Sequence, residues 1–232
     1  MKTIGLIGGM SWESSQLYYE LINKKVQLMR GGFHSAKSVM VSVDFDEMAK
    51  LQSENDWDTL NQLMVKAAKQ LENAGADMIL VCANTMHLCS EEIIKNTNLP
   101  FVHIAEATGE IIKKGSLKKV ALLGTKFTME KDFYKDILTG DFGVEVLIPD
   151  KKARDLVHHI IYKELVLGKI KDKSKRIYLK IIDDLIERGA EGIILGCTEI
   201  PLLISDKDVG VPVLNTTKIH AEKAVRLALN KD

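Results

Sequence analysis

Short apolar runs alternate along this chain with longer stretches in which apolar residues return every three or four positions. The runs at residues 4–7, 39–43, 78–81 and 101–104 have strand length, and the stretches at 14–28, 58–74, 90–95 and 107–114 read as helices. The helix over 58–74 is the clearest, with Leu60, Leu63, Met64, Ala67, Ala68 and Leu71 on one face. An Asn98-Leu99-Pro100 turn ends the short helix before it. The pattern then restarts, with strands at 120–123, 144–148, 192–195 and 211–214. Helices fall near 130–138 and over 153–167, 173–188 and 217–229. Strand–helix alternation predicts an α/β protein whose parallel sheets are covered by helices on both faces.

The restart is also a sequence repeat. Gly75, Ala76 and Asp77 align with Gly189, Ala190 and Glu191, and the apolar runs 78–81 and 192–195 then coincide. Lys2-Thr-Ile-Gly-Leu-Ile-Gly8 matches Lys118-Lys-Val-Ala-Leu-Leu-Gly124. Offsets of 114 and 116 residues are close enough to imply an internal duplication. The expectation is two similar three-layer domains with mainly parallel sheets and an active site in the cleft between them. The first would comprise 1–115 plus 216–232, closed by the C-terminal helix, and the second 116–215.

Composition narrows the function classes. Among 232 residues, 46% are hydrophobic and 28% charged, enough for a substantial core. Lys plus Arg and Asp plus Glu both count 32, so neither nucleic acid nor an anionic membrane surface is indicated as a partner. No stretch approaches the ~18 apolar residues of a membrane span, and the N-terminal apolar run is too short for a signal peptide. Three cysteines without an export signal fit reduced thiols in the cytoplasm.

In open parallel sheets ligands bind beyond the carboxyl ends of the strands. Four such ends carry short polar loops: Gly8-Gly9-Met10-Ser11, Cys82-Ala83-Asn84-Thr85, Gly124-Thr125 and Gly196-Cys197-Thr198-Glu199. The first can hold an anion on backbone amides, or be a plain strand-to-helix turn; its spacing is not that of a dinucleotide fingerprint. Asn84 and Thr85 can present donors to a carboxylate or cap the next helix. Cys197 can act as a base or nucleophile at the mouth of a strand, or pack as a small buried hydrophobe. Cys89 reads as core. Cys82, His87 and Cys89 lack a fourth ligand at metal-site spacing, so no metal is expected. His87 and Glu199 are candidate supporting groups.

Gly8-Gly9-Met10-Ser11-Trp12-Glu13-Ser14, Asn84-Thr85-Met86-His87, Leu122-Leu123-Gly124-Thr125 and Gly196-Cys197-Thr198-Glu199-Ile200 resemble the four signature loops of the aspartate/glutamate racemases. The likeness runs in order along essentially the whole chain. It points to the bacterial branch containing L-aspartate/glutamate-specific and broad-specificity amino-acid racemases. The resemblance implies two α/β domains, no pyridoxal phosphate or other cofactor, a homodimer, and a small amino acid or dicarboxylate as ligand. It also implies two residues, usually cysteines, on opposite faces of the substrate α-carbon. One removes the α-proton and the other delivers one, while donors hold the enediolate-like charge.

Here the chain departs from the pattern. The family's first catalytic residue immediately precedes the Asn-Thr pair, and that position is Ala83. The repeat likewise sets Cys197 opposite Ala83. Cys82 is one residue early, which on a strand turns its thiol to the other face unless a bulge intervenes. The resemblance carries over Met10, Asn84, Thr85 and Thr198 as contacts to the α-carboxylate or amino group. It adds Gln52, in the loop after the second strand, at the side-chain end, and Thr125 in the wall. Lys163 is placed to reach a distal carboxylate or to be a solvated helix lysine. The expected function is a cofactor-independent racemase-like isomerase of aspartate, glutamate or a similar amino acid, with Cys197 as its proton-transfer group. The alternatives are a one-cysteine decarboxylase or isomerase of a small carboxylic acid, and a non-catalytic amino-acid or dicarboxylate-binding protein.

Overall fold

The computed structural model describes residues 1–230, which form two compact units. The first is Met1–His103 with the C-terminal segment from His220. In chain order it contains β1 (Ile4–Gly8), α1 (Trp12–Arg30), β2 (Ser38–Ser42), α2 (Phe45–Glu54), α3 (Trp57–Asn73), β3 (Met78–Val81), a 3₁₀ turn (Thr85–Cys89) and α4 (Ser90–Asn96). The strands are parallel in the order β2-β1-β3. Side chains alternate across this sheet as strand geometry requires. Ile7, Ile79 and Val81 face Leu60, Met64, Ala67, Ala68 and Leu71 of α3 and Met48 of α2. Ile4, Leu6, Met78 and Leu80 face Tyr18, Ile22 and Val26 of α1 and Ala221, Ala224, Val225 and Ala228.

The second unit, Ile104–Ile219, contains α5 (Ile104–Lys114), β4 (Lys119–Gly124), α6 (Lys126–Glu130), α7 (Asp132–Gly140), β5 (Glu145–Leu147), α8 (Lys151–Lys163), α9 (Asp172–Glu187), β6 (Ile193–Gly196) and β7 (Val213–Asn215). The closing helix α10 (Thr216–Ala228) starts in this unit's segment, and its residues from His220 belong to the first. All four strands are parallel, in the order β5-β4-β6-β7. One face buries Ala121, Leu123, Ile193 and Leu195 against α8 and α9. The other buries Val120, Leu122 and Ile194 against Ile104 and Ile112 of α5 and Tyr134 and Leu138 of α7.

The duplication is visible in strand register. Ile7 pairs with Val81 in the first sheet and Leu123 with Leu195 in the second, at the offsets of the sequence repeat. Ile79 bridges Phe101 as Ile193 pairs with Val213. Pro100 and Pro212 each accept, at 2.9 Å, the amide of Ile79 and of Ile193. Asp77 accepts the Thr3 amide at 2.6 Å, and Glu191 accepts the Lys118 amide at 2.6 Å. The same acidic clamp therefore holds the start of each central strand.

Several elements differ from the pattern-based reading. The strand expected at 101–104 is a single bridge at Phe101, because Pro100 offers no amide and α5 already begins at Ile104. The helix expected near 130–138 is two helices, broken where Lys131 adopts extended backbone. The helix expected over 153–167 ends at Lys163, followed by a 3₁₀ turn that Gly168 terminates at φ 67°. Helix α2 was not anticipated. Residues 104–115 and 216–219 group with the second unit, whereas the expected boundaries put them in the first; residues 231 and 232 of that assignment lie outside the described residues.

Candidate active site

In the first unit, the glycine turn after β1 is closed by its own helix. Ser15 Oγ accepts the Gly9 amide at 2.7 Å and donates to the Ser11 carbonyl at 3.0 Å. Ser11 caps α1, accepting the Ser14 amide at 3.3 Å. Gly9 has φ 92°, and a Cβ there would stand 2.1 Å from the Val43 carbonyl oxygen, so glycine is required. The Gly9 amide is thus directed into the turn and not toward a bound anion. Met10 is buried in the apolar cluster beneath.

Cys82 and Ala83 separate at the end of β3. Cys82 is fully buried among Ile4, Leu6, Tyr18 and Leu80. Burial pushes its thiol well above the usual range. Ala83 is partly exposed and packs on the opposite cluster with Ile7, Met10, Val81 and Met86. The structure therefore does not bring Cys82 to the face that carries Ala83 and Met10. Asn84 opens the 3₁₀ turn without a side-chain cap to it, so capping does not account for its side chain. Thr85 follows, also buried. Gln52 is not in a loop: it is buried on α2, and its amide donates to Met86 Sδ at 3.0 Å. Met10, Met86 and Ala83 thus share one apolar cluster, which Gln52 joins through Met86. Cys89 is core, its thiol raised to about 12 by burial.

Behind Ala83 lies a buried imidazole cluster. His87 Nδ1–H donates to the Ala83 carbonyl at 2.9 Å, leaving Nε2 without a partner. Its ring packs against His103 at 4.8 Å and His220 at 5.5 Å between centroids. His220 Nε2–H donates to the Val102 carbonyl at 2.7 Å, so its Nδ1 accepts the Tyr18 hydroxyl at 2.8 Å. Burial holds all three imidazoles neutral: His103 falls to about 3, His220 to about 4, and His87 well below its ordinary value. Sequence reading singled out His87 alone, because the three residues are far apart along the chain.

In the second unit, Gly124 and Gly196 are partners at the ends of β4 and β6, which sets Thr125 beside Cys197. Thr125 caps α6, accepting the Thr128 amide at 3.2 Å. Cys197 is 8% exposed, and its thiol donates to Glu199 Oε2 at 2.9 Å. The Thr198 hydroxyl donates to the same oxygen at 2.7 Å. Burial, then the Glu199 charge, raises the thiol well above its ordinary value, while the amides of Thr198 and Glu199 hydrogen-bond to the sulfur and oppose the rise. At rest the group is a neutral thiol. Lys163, at the last turn of α8, is exposed. The α8 side chain that packs on the Cys197 cluster is its neighbour Tyr162. The Tyr162 phenol is raised to about 12, chiefly by burial and further by the nearby Glu199 carboxylate. Tyr178 on α9 feels the same carboxylate. Neither tyrosine was legible as a site residue, since both read as helix-face apolar positions.

Among the described residues, no group of three His, Cys, Asp or Glu side chains is placed to hold a metal ion, and no helix is long and apolar enough to cross a membrane. A family model described as Asp/Glu/Hydantoin racemase matches residues 7–224. The broad specificity amino-acid racemase RacX of Bacillus subtilis is 23% identical over 230 residues, covering 96% of each chain. A Yersinia pestis crystal structure provisionally assigned as an Asp/Glu racemase superposes with a TM-score of 0.93 at 49% identity, covering 99% of this chain and 100% of that one. An aspartate racemase homologue from Pyrococcus horikoshii superposes with a TM-score of 0.84 at 37% identity, with 99% and 100% covered.

Proposed function

This chain belongs to the Asp/Glu/hydantoin racemase family, and from that premise we propose that it is a cofactor-independent amino-acid racemase-like isomerase, acting on aspartate, glutamate or a similar α-amino acid through Cys197. The observation that carries the proposal is the setting of Cys197 at the carboxyl end of β6, with its thiol on the Glu199 carboxylate and backbone amides at its sulfur. That arrangement suits a group that must alternate between thiol and thiolate. Met10, Gln52, Asn84, Thr85, Thr125, Thr198 and, at longer reach, Lys163 would bind the substrate. Buried hydroxyl and amide groups among them supply donors for a carboxylate and for the enediolate-like charge that forms when the α-proton leaves. The protein would work in the cytoplasm as a homodimer, with a small amino acid or dicarboxylate as ligand and neither nucleic acid nor membrane as partner.

A second reading is favoured by one observation. The register makes Ala83 the counterpart of Cys197, and the nearby Cys82 thiol is turned into the core. A site with one thiol can remove and return a proton on one side of the α-carbon, or protonate the carbanion left by a departing carboxylate. Incubation with L-aspartate and L-glutamate in D₂O, followed by proton NMR and chiral chromatography, separates the cases. α-Deuteration with inversion is the result expected of a racemase. Deuteration with retention moves the protein to one-sided chemistry. Saturable binding of amino acids without exchange would leave only a binding role.

A further inference from the structure

We infer that His87 is a positioning residue: its Nδ1–H holds the carbonyl of residue 83 and so sets the loop that presents residues 83, 84 and 85. The inference deepens the racemase-family reading of that loop and rests on it. Three observations carry it. The imidazole is fully buried, and its Nδ1 stands 2.9 Å from the Ala83 carbonyl oxygen. The neighbouring Asn84 carbonyl acts on the same ring. The other ring nitrogen, Nε2, is buried without a hydrogen-bond partner. A buried polar atom left unpaired is destabilising. An apolar side chain would fill the space without that cost, so what the imidazole adds is its one N–H, given to the loop. The third observation is that the ring is locked. His103 packs on it at 4.8 Å between centroids, and His220 and Phe101 each at 5.5 Å.

The support is itself anchored. His220, on α10, donates from Nε2 to the Val102 carbonyl at 2.7 Å and accepts the hydroxyl of Tyr18, on α1, at 2.8 Å. The chain leaves the first unit after His103 and returns at His220, so both passages end on imidazoles that pack against His87. All three rings are neutral, and the N–H that reaches Ala83 comes from a ring with a fixed tautomer. A peptide unit is planar. Holding the residue-83 carbonyl therefore fixes the plane that joins Ala83 to Asn84, and with it the directions in which both residues leave the end of β3. In the proposed reaction these residues face the α-carbon and the carboxylate, where a misplacement of about 1 Å can cost about 10²-fold in rate. His87 acts through the loop and does not itself touch the substrate.

The test pairs readouts independent of turnover with one that requires it. In wild-type protein labelled with ¹⁵N-histidine, NMR at neutral pH should find the His87 hydrogen on Nδ1. A hydrogen on Nε2 overturns the inference without any substitution. His87→Leu removes the donor and the unpaired nitrogen together, and His87→Gln restores an N–H. The carbonyl ¹³C signal of Ala83 should move upfield in His87→Leu and stay near its wild-type position in His87→Gln. α-Deuterium exchange of L-aspartate or L-glutamate should fall about 10²-fold in His87→Leu and recover most of its rate in His87→Gln. Urea midpoints at neutral pH should stay close in all three proteins. A ring that only fills space would instead give exchange that follows stability, with no rescue by Gln. Wild-type exchange in a folded His87→Leu protein overturns the inference. A carbonyl signal lost in Leu and restored in Gln, in a protein whose wild type exchanges no amino acid, upholds the hold on residue 83 and removes the racemase reading instead.

Discussion

Cys82 and Ala83 are adjacent in sequence and lie in opposite apolar clusters of the first unit. Cys82 joins Leu6, Tyr18 and Leu80, while Ala83 joins Ile7, Met10 and Val81. The register that pairs Ile7 with Val81 and Leu123 with Leu195 makes Cys82 the counterpart of Gly196, and Ala83 that of Cys197. No bulge intervenes before the strand ends, since the pairing runs regularly from Ile4 to Ile7. A thiol one position early therefore does not replace one at residue 83, the position to which the proposed racemase reading gives the second proton transfer.

Ala83→Cys should accordingly create or strengthen racemisation. Position 83 is partly exposed, so one added sulfur can be accommodated without repacking the core. A well-placed acid or base contributes about 10²–10⁴-fold. The inversion rate of L-aspartate or L-glutamate, measured by chiral chromatography, should rise by at least the lower end of that range. An Ala83→Cys protein that folds and inverts no faster than the wild type would count against residue 83 as the second proton-transfer position.

Cys82→Ser should affect stability and leave the activity per folded molecule near that of the wild type. Its Sγ sits in a fully buried apolar cluster, where a hydroxyl brings a desolvation penalty of roughly 1–3 kcal/mol. Cys197→Ser should do the reverse, with exchange falling about 10²-fold or more and little change in stability. Urea melts and exchange rates on the same preparations decide between the two patterns. A large loss of exchange with normal stability in Cys82→Ser would reverse the assignment.

Ser15→Ala tests the closure of the glycine turn. It removes both the acceptor for the buried Gly9 amide and the donor to the Ser11 carbonyl. Leaving a buried backbone donor unpaired costs about 1–3 kcal/mol. Because the turn carries Met10, the substrate KM should rise more than kcat falls. Equal stability of the two proteins would show that Ser15 is not what holds the turn.

Much of this was legible in the sequence, for reasons that also explain the omissions. Strands β1, β3, β4 and β6 are short apolar runs buried on both faces, and the duplication by itself aligns Cys197 with Ala83. Helix α2 is hard to read in the sequence because it is short and only Met48 and Gln52 of it are fully buried. Gln52 therefore reads as a loop residue in the sequence and lies on a helix in the fold. On α8, Tyr162 beside Lys163 packs on the Cys197 cluster, a contact that an aromatic at a helix-face position does not announce in sequence. The contact of Cys197 with Glu199 depends on irregular backbone after β6, which no periodicity encodes. The imidazole cluster joins residues 87, 103 and 220, and only the fold brings those together.

That cluster gives the protein a sensitivity to mild acid with a definite sign. His103 is lowered to about 3, His220 to about 4, and His87 well below 6.5, with burial the leading cause for each. In the unfolded chain each returns to about 6.5. Between the folded and unfolded values the unfolded state binds more protons, so stability must fall as pH drops through that window. The contribution is fully present above about pH 7. Below it, each histidine can remove up to about 1.4 kcal/mol per pH unit, and the three together up to about 4. Urea midpoints should therefore be level from pH 8 to 7 and decline steeply from pH 6.5 to 5. Tyr18→Phe removes the hydroxyl donated to His220 Nδ1, and should cost about 1 kcal/mol at neutral pH. His87→Gln should flatten the acid decline by about one proton's share, although Gln can still donate to the Ala83 carbonyl. A decline equally steep in His87→Gln would mean that the protons are taken up elsewhere.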